Sequence, residues 1–188
     1  MAVRHAFTVD EWHRMGDAGL FGEDARVELL DGEVIEMSPI GSVHAGCVIA
    51  LNRLLVEATG RSALISVQGP VRLDDRSEPQ PDVAVLAPRS DGYRRSHATP
   101  AEILLLIEVA DSSLIFDRGR KASYYAASGV TETWVVDLEG EQVLVMRSPG
   151  SDGYAEVQSL GRGDRLAVEA LPGVVFDVED VLGPGPED

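Results

Sequence analysis

The sequence predicts an α+β (α/β) protein in which helices pack on a mixed β-sheet, and three observations carry that expectation. Two apolar runs of strand length, "PDVAVLAP" and "ILLLIEVA", stand in the middle of the chain. Segments with a helical period, residues 42–59 and 116–128, lie on either side of them. Beyond residue 131 the pattern turns to strand-like alternation broken by turn residues. Strands and helices mixed in this order fit a sheet covered by helices.

The elements follow in order. "FTVDEWHRM" is expected to form a short helix capped by Thr8, with Glu11 three residues on completing a capping box. "ARVELLDGEVIEMSP" reads as an N-terminal hairpin: strand 26–30, Asp31-Gly32 as the tight turn, strand 33–37. Ser42 is expected to cap a helix running to about Thr59, on which His44, Val48, Leu51 and Leu55 form one core-facing stripe. "SALISVQGPVRL" supplies two short strands, or one bulged at Gly69-Pro70, followed by a polar turn, "DDRSEPQP". Strands 82–86 and 103–109 come next, separated by a polar loop of about a dozen residues, long enough to be functional or mobile. A helix from about Phe116 to Ser128, stopped by Gly129, leads into the strand "TETWVVDL". The remainder, "EQVLVMRS", "GYAEVQSL" and "DRLAVEALPGVVFDVEDVL", reads as a C-terminal β-meander.

The 188 residues lie near the upper end of what one core organises, so the expectation is a single domain over 1–183 and a flexible acidic tail, 184–188, that frays. A chain with 44% hydrophobic and 26% charged residues is expected to fold and to stay in water. No apolar run approaches the ~18 residues of a membrane span. "MAVRHAFTVDEW" lacks the apolar core of a signal peptide, so the expected location is the cytoplasm. The lone Cys47 can form no internal disulfide and no thiolate cluster, and its helical neighbours suit it to packing. Sixteen Lys and Arg against thirty-two Asp and Glu give a net charge of −16, which repels a polyanion at long range. A local basic patch has two candidate sources, "PRSDGYRRSHATP" and the group Arg118, Arg120, Lys121.

Glu108 interrupts the apolar run "ILLLIEVADSS". An unpaired buried carboxylate costs several kcal/mol, so Glu108 should sit at an opening, meet a cation, or hold a metal. If strands 82–86 and 103–109 are antiparallel neighbours, Asp82 at the start of one lies beside Glu108 at the end of the other. Two acids that close call for a cation, and hard oxygen donors with open positions suit Mg²⁺ or Mn²⁺. Lys121, on the following helix, can add positive charge there.

These residues carry a resemblance. "QPDVAVL", then "LIEVADSS", then "DRGRKASYYAASGVTETWVVD" resemble the PD-(D/E)XK nuclease superfamily, specifically its Uma-type (DUF820-like) branch of restriction endonucleases. "VELLDGEVIEMSPIGSVHAGCVIALNRLL" and "SVQGPVRL" resemble that branch's N-terminal and middle parts, so the likeness covers about residues 7–181. It implies a restriction-endonuclease-like core that hydrolyses phosphodiesters with a divalent metal. Asp82 and Glu108 would bind the ion with the carbonyl of Val109, and Lys121 would orient or deprotonate the attacking water. Glu28 matches the superfamily's upstream acid, and Gln68 and His44 match polar positions that line the site. The chain departs at position 110, where the usual lysine is Ala110; the resemblance moves that role to Lys121, which shares a helical face with Asp117 and Tyr124.

Plainer readings stand beside these. Asp82 after Pro81 suits a turn at the start of a strand, Glu28 could face solvent, His44 could be a buried core histidine, and Lys121 could pair with Asp117. Two functions follow from different classes. One is a DNA endonuclease, favoured by Asp82, Glu108 and Lys121 together; the other is a catalytically weak nuclease-fold protein acting as a regulatory, protein-binding homodimer, favoured by the charge of −16. The lack of an evident DNA-reading module leaves room for a recruiting protein partner. A sugar hydrolase finds little support with 5% aromatic residues, and no P-loop, Rossmann glycine pattern or Ser-His-Asp order is present.

Overall fold

The computed structural model of the protein describes residues 4–22, 25–110 and 115–184, with the side chains of 115–118 outside that set. Most of the tail expected to fray, 185–188, also lies outside the described residues. The elements are α1 (Val9–Asp17), β1 (Val27–Leu30), β2 (Glu33–Glu36), α2 (Ser42–Thr59), β3 (Leu64–Val67), β4 (Val83–Leu86) and β5 (Ile103–Ala110). Then follow α3 (Ile115–Ala127), β6 (Glu132–Asp137), β7 (Gln142–Gly150), β8 (Gly153–Gly161), β9 (Arg165–Ala167), β10 (Val175–Asp177) and α4 (Val178–Leu182).

Six strands form one mixed sheet in the order β3-β4-β5-β6-β7-β8. Every neighbouring pair is antiparallel except β5 and β6, which run parallel because α3 carries the chain across between them. The meander expected at the C-terminus is thus partly the far edge of this sheet, β7-β8, which follows β6, and β9 and β10 pair separately. Strand alternation sorts β5: Leu105, Ile107 and Val109 join the core with Val48, Leu51, Leu55, Phe176 and Val181, while Leu106 joins a second cluster with Ala84 and Tyr125 of α3. Glu108 has the parity of Leu106, which directs it toward α3. No helix among the described residues is long and apolar enough to cross a membrane.

Local chemistry explains the ends. Thr8 and Glu11 form the expected capping box on α1. The hairpin turns on Asp31 and Gly32, at φ 49° and 76°, the left-handed pair that a two-residue turn needs. Gly32 is further constrained because a Cβ there would lie 2.7 Å from the Ala6 Cβ and 2.8 Å from the Phe7 nitrogen. Gly32→Ala is therefore expected to destabilise the protein by more than about 1 kcal/mol, read as a lower denaturant midpoint at constant m-value.

Three expectations need correction. Ser42 is the first helical residue rather than the cap; Gly41 holds the N-cap position, without a side-chain bond. The stretch "DDRSEPQP" is only partly a polar turn. Ser77, Glu78 and Pro79 are buried because this segment lies along the hairpin, where Glu78 bridges Leu29 and the Ser77 hydroxyl accepts from the Asp31 N–H at 3.1 Å. The short helix α4, within the stretch read as meander, packs Val178 and Val181 into the main core.

The loop between β4 and β5 is cross-braced. The Arg89 guanidinium binds Asp91 at 2.7 Å and Glu102 at 3.0 Å, and lies 3.8 Å from the centre of the Tyr93 ring. This loop joins Leu86 to Ile103, at the end of the two strands opposite Asp82 and Glu108. The basic stretch "PRSDGYRRSHATP" therefore stands away from the acidic pair.

Candidate functional site

Antiparallel pairing of β4 with β5 reaches Val83 opposite Ile107, and one step further stand Asp82 and Glu108. Both line a cleft of about 210 Å³. One wall comes from the β1–β2 hairpin and the turn into α2, and the other from α3. Its floor is charged and deeply set: Glu28, Asp82, Glu108 and Lys121 are 3%, 5%, 2% and 8% exposed.

Each floor group is held by others. The Asp82 Oδ2 accepts from the main-chain N–H of Val109 at 2.8 Å and lies 3.1 Å from His44 Nε2. Lys121 Nζ bridges two acids, 2.9 Å from Glu28 Oε2 and 3.3 Å from Glu108 Oε1, and donates to the Gln80 carbonyl at 3.4 Å. The Tyr125 hydroxyl donates to Glu108 Oε1 at 2.5 Å, and the Gln80 N–H donates to Glu28 Oε2 at 3.0 Å. The charge inside the apolar run is thus met by an ammonium and a phenol from one face of α3, four residues apart.

Burial pulls the Lys121 pKa down, but Glu108 and Glu28 overcome it and the net shift is upward. Burial pushes the Tyr125 hydroxyl well above its ordinary value, and the same two carboxylates push it further. Both groups hold their protons more tightly in the folded chain than in the unfolded one. Their contribution to stability is therefore complete below about pH 10 and is lost as the pH rises through the folded values. Tyr154, raised to about 12 mainly by burial, acts in the same direction. The denaturant midpoint is expected to hold steady between about pH 7 and 9 and to fall above about pH 10, less steeply in Tyr125→Phe. A midpoint unchanged through about pH 11 would contradict the network.

Of the residues expected at the site, Glu28, Asp82, Glu108, Lys121, His44 and Tyr124 line the cleft, and Val109 meets Asp82 through its N–H. Glu28 is buried rather than facing solvent, and Lys121 takes Glu28 and Glu108 as partners. The Asp117 side chain lies outside the described residues. Gln68 is a correction: it does not line the cleft, and its backbone, at φ 51°, donates its N–H to the Asp82 carbonyl at 3.0 Å. The glutamine of the cleft is Gln80.

Gln80 and Arg26 are not among the residues expected at the site, and Tyr125 is expected from the sequence to pack, with one hydroxyl of the Tyr124-Tyr125 pair reaching the site; each had a signal. Gln80 opens "QPDVAVL", Tyr125 follows Lys121 by one helical turn, and Arg26 precedes Glu28 by the strand period of two. A further signal is that Lys121 is the only lysine among the sixteen basic residues. Arginine serves at every other position, so an ammonium where two acids converge stands out.

The donor chemistry fits a hard divalent cation of one kind. Among the described residues no group of three or more His, Cys, Asp or Glu is gathered to hold an ion. The Lys121 ammonium stands between Glu28 and Glu108. Mg²⁺ is commonly bound by one or two carboxylates with waters and substrate phosphate completing its shell. Asp82 and Glu108 could supply such a pair.

The mixed sheet and its crossover helix are those of a restriction-endonuclease-like fold. A family model described as "Putative restriction endonuclease", Uma2, matches residues 9–179, and the chain belongs to that family. Among solved structures it is similar to a putative nuclease belonging to DUF820 from Anabaena variabilis, at 16% identity and a TM-score of 0.72. That likeness covers 94% of this chain and 97% of the other. No curated protein matches the chain.

Proposed function

We propose that this protein is a divalent-metal-dependent DNA endonuclease that hydrolyses phosphodiester bonds by a PD-(D/E)XK-type mechanism in the cleft between hairpin and α3. The observation that carries this reading is the Glu28–Lys121–Glu108 cluster beside Asp82 on the floor of an open cleft. Membership of a family described as restriction endonucleases supports it. Asp82 and Glu108, with the carbonyl of Val109, would hold Mg²⁺ or Mn²⁺. Such an ion would supply Lewis-acid chemistry at the scissile phosphate and make water there more acidic.

The chain's own residues do the rest. His44 and the Val109 N–H orient Asp82, and Tyr125 orients Glu108. Lys121, with its pKa shifted upward, stays an ammonium at neutral pH. Its role in this reading is to position the attacking water and to stabilise charge building on the phosphate, rather than to remove a proton. Glu28 and the Gln80 carbonyl fix the ammonium from the far side. A cytoplasmic location belongs to the same proposal.

The charge of −16 favours a second reading, a catalytically weak nuclease-fold protein acting as a regulatory, protein-binding homodimer. Supercoiled plasmid incubated with the purified protein separates the two. The first predicts nicking with Mg²⁺ or Mn²⁺ that stops when EDTA removes the ion. Intact plasmid under all conditions, with no DNA affinity even at low salt, would leave the second.

A further inference from the structure

We infer that two copies of this chain pair through the outer flank of α2 and the open edge of β3, joining their sheets about a two-fold axis. This holds whichever reading of the cleft is right. Among the 18 residues of α2 only Arg53 and Glu57 are charged, in a chain where 26% are. A helix that is apolar all round is normally covered all round. The inner face of α2 is covered, since Val48, Leu51 and Leu55 pack with Val83, Val85 and Leu105. The outer flank is bare, with Ile49 70% and Val56 51% exposed. Ala45, Ile49, Asn52 and Val56 fall within about 60° of one another at 3.6 residues per turn, so they form one stripe.

Cys47, on the opposite flank, donates its thiol to the Val181 carbonyl of α4 at 3.4 Å, and α4 packs over β7 and β8. The stripe therefore points the other way, toward β3, which ends the six-stranded sheet. Val67 pairs with Val83, so it stands on the α2 side of the sheet, and it is 41% exposed. The strand "LISV" carries no charge or proline to keep another strand away. Symmetry and charge make the occupant a second copy. α2 and β3 run antiparallel, joined by the turn 60–63, so a two-fold axis normal to the sheet sets each against itself in antiparallel pairing. From Gly41 to Val71 the chain carries Arg53, Glu57 and Arg61 and no Asp or Lys, so two copies of a −16 chain can approach here without repulsion. The face is about 27 Å long, the length of α2, and with the edge strand it covers on the order of 1,000 Å² over both copies, the floor for a specific interface. The clefts, at the Val67 end of each β3, then lie at opposite ends of the joined sheet, and neither borrows a residue from the other copy.

Sedimentation velocity of the full chain, from about 1 to about 100 μM, tests this. Wild type is expected to sediment at twice the 20.2 kDa of one chain. Ile49→Glu and Val56→Glu each enter a two-fold interface twice, and each should raise the dimer dissociation constant at least about a hundredfold with the far-ultraviolet spectrum unchanged. Both side chains are exposed in a single copy, so the fold does not depend on them. Val157→Glu, on the exposed stretch of β8 at the other edge of the sheet, should leave the dimer as it is. Wild type that stays monomeric at about 100 μM, or a dimer that Ile49→Glu and Val56→Glu leave intact, would overturn the inference. A dimer split by Val157→Glu and not by the α2 variants would place the second copy on β8 and overturn it equally.

Discussion

Glu108→Gln is expected to abolish metal-dependent plasmid nicking while the protein stays folded. The substitution keeps the side chain's shape and an oxygen that can accept from Tyr125, and Lys121 retains Glu28 at 2.9 Å. What is lost is one of the two negative charges facing the cleft at the strand ends. An ion held by only two carboxylates loses much of its attraction with either one. Asp82→Asn should behave alike, because the proposed ion site needs both carboxylates and Asp82 is held beside Glu108 by Val109 and His44. The expected fall in rate is at least about a hundredfold, or about 2.7 kcal/mol of transition-state stabilisation, measured by gel densitometry of nicked product. Unchanged nicking by both variants would place the chemistry elsewhere.

Lys121→Met is expected to cost about 3–5 kcal/mol of folding stability, the largest loss for any single exchange at the site. Methionine keeps most of the bulk, so the effect isolates charge. Without the ammonium, Glu28 and Glu108, 3% and 2% exposed, face one another without a cation between them. A double variant, Lys121→Met with Glu108→Gln, should recover part of the loss because the second change removes one of the stranded charges. Urea unfolding of the two variants and Glu108→Gln gives the coupling directly. Additive losses would mean that the contacts of Lys121 with Glu28 and Glu108 carry no interaction energy.

Much of this site was legible because its residues violate the pattern around them. Glu108 stands in an otherwise apolar strand, and antiparallel pairing of the two neighbours then fixes Asp82 beside it. The Asp31-Gly32 turn and the Thr8–Glu11 box were readable because their geometry is set by residues close in sequence. What escaped depends on distant contacts. Gln80 rather than Gln68 reaches the cleft because the segment after β3 folds back along the hairpin, an event decided by Leu29 and Glu78. The burial of Ser77 has the same origin. Helix α4 has only five residues, too few for a period, and exists because Val178 and Val181 fill the core. The two basic stretches were equal candidates by composition, and only topology separates them, since the loop joining β4 to β5 lies at the wrong end of the strands.

The central claim is that the buried acids at this strand end exist to hold a divalent ion, and isothermal titration of Mn²⁺ into wild type and Glu108→Gln tests it most directly. The account predicts saturable binding of an ion to wild type and its loss in the variant, with both proteins giving the same far-ultraviolet spectrum. Absence of binding in wild type, or equal binding by the two proteins, would contradict it.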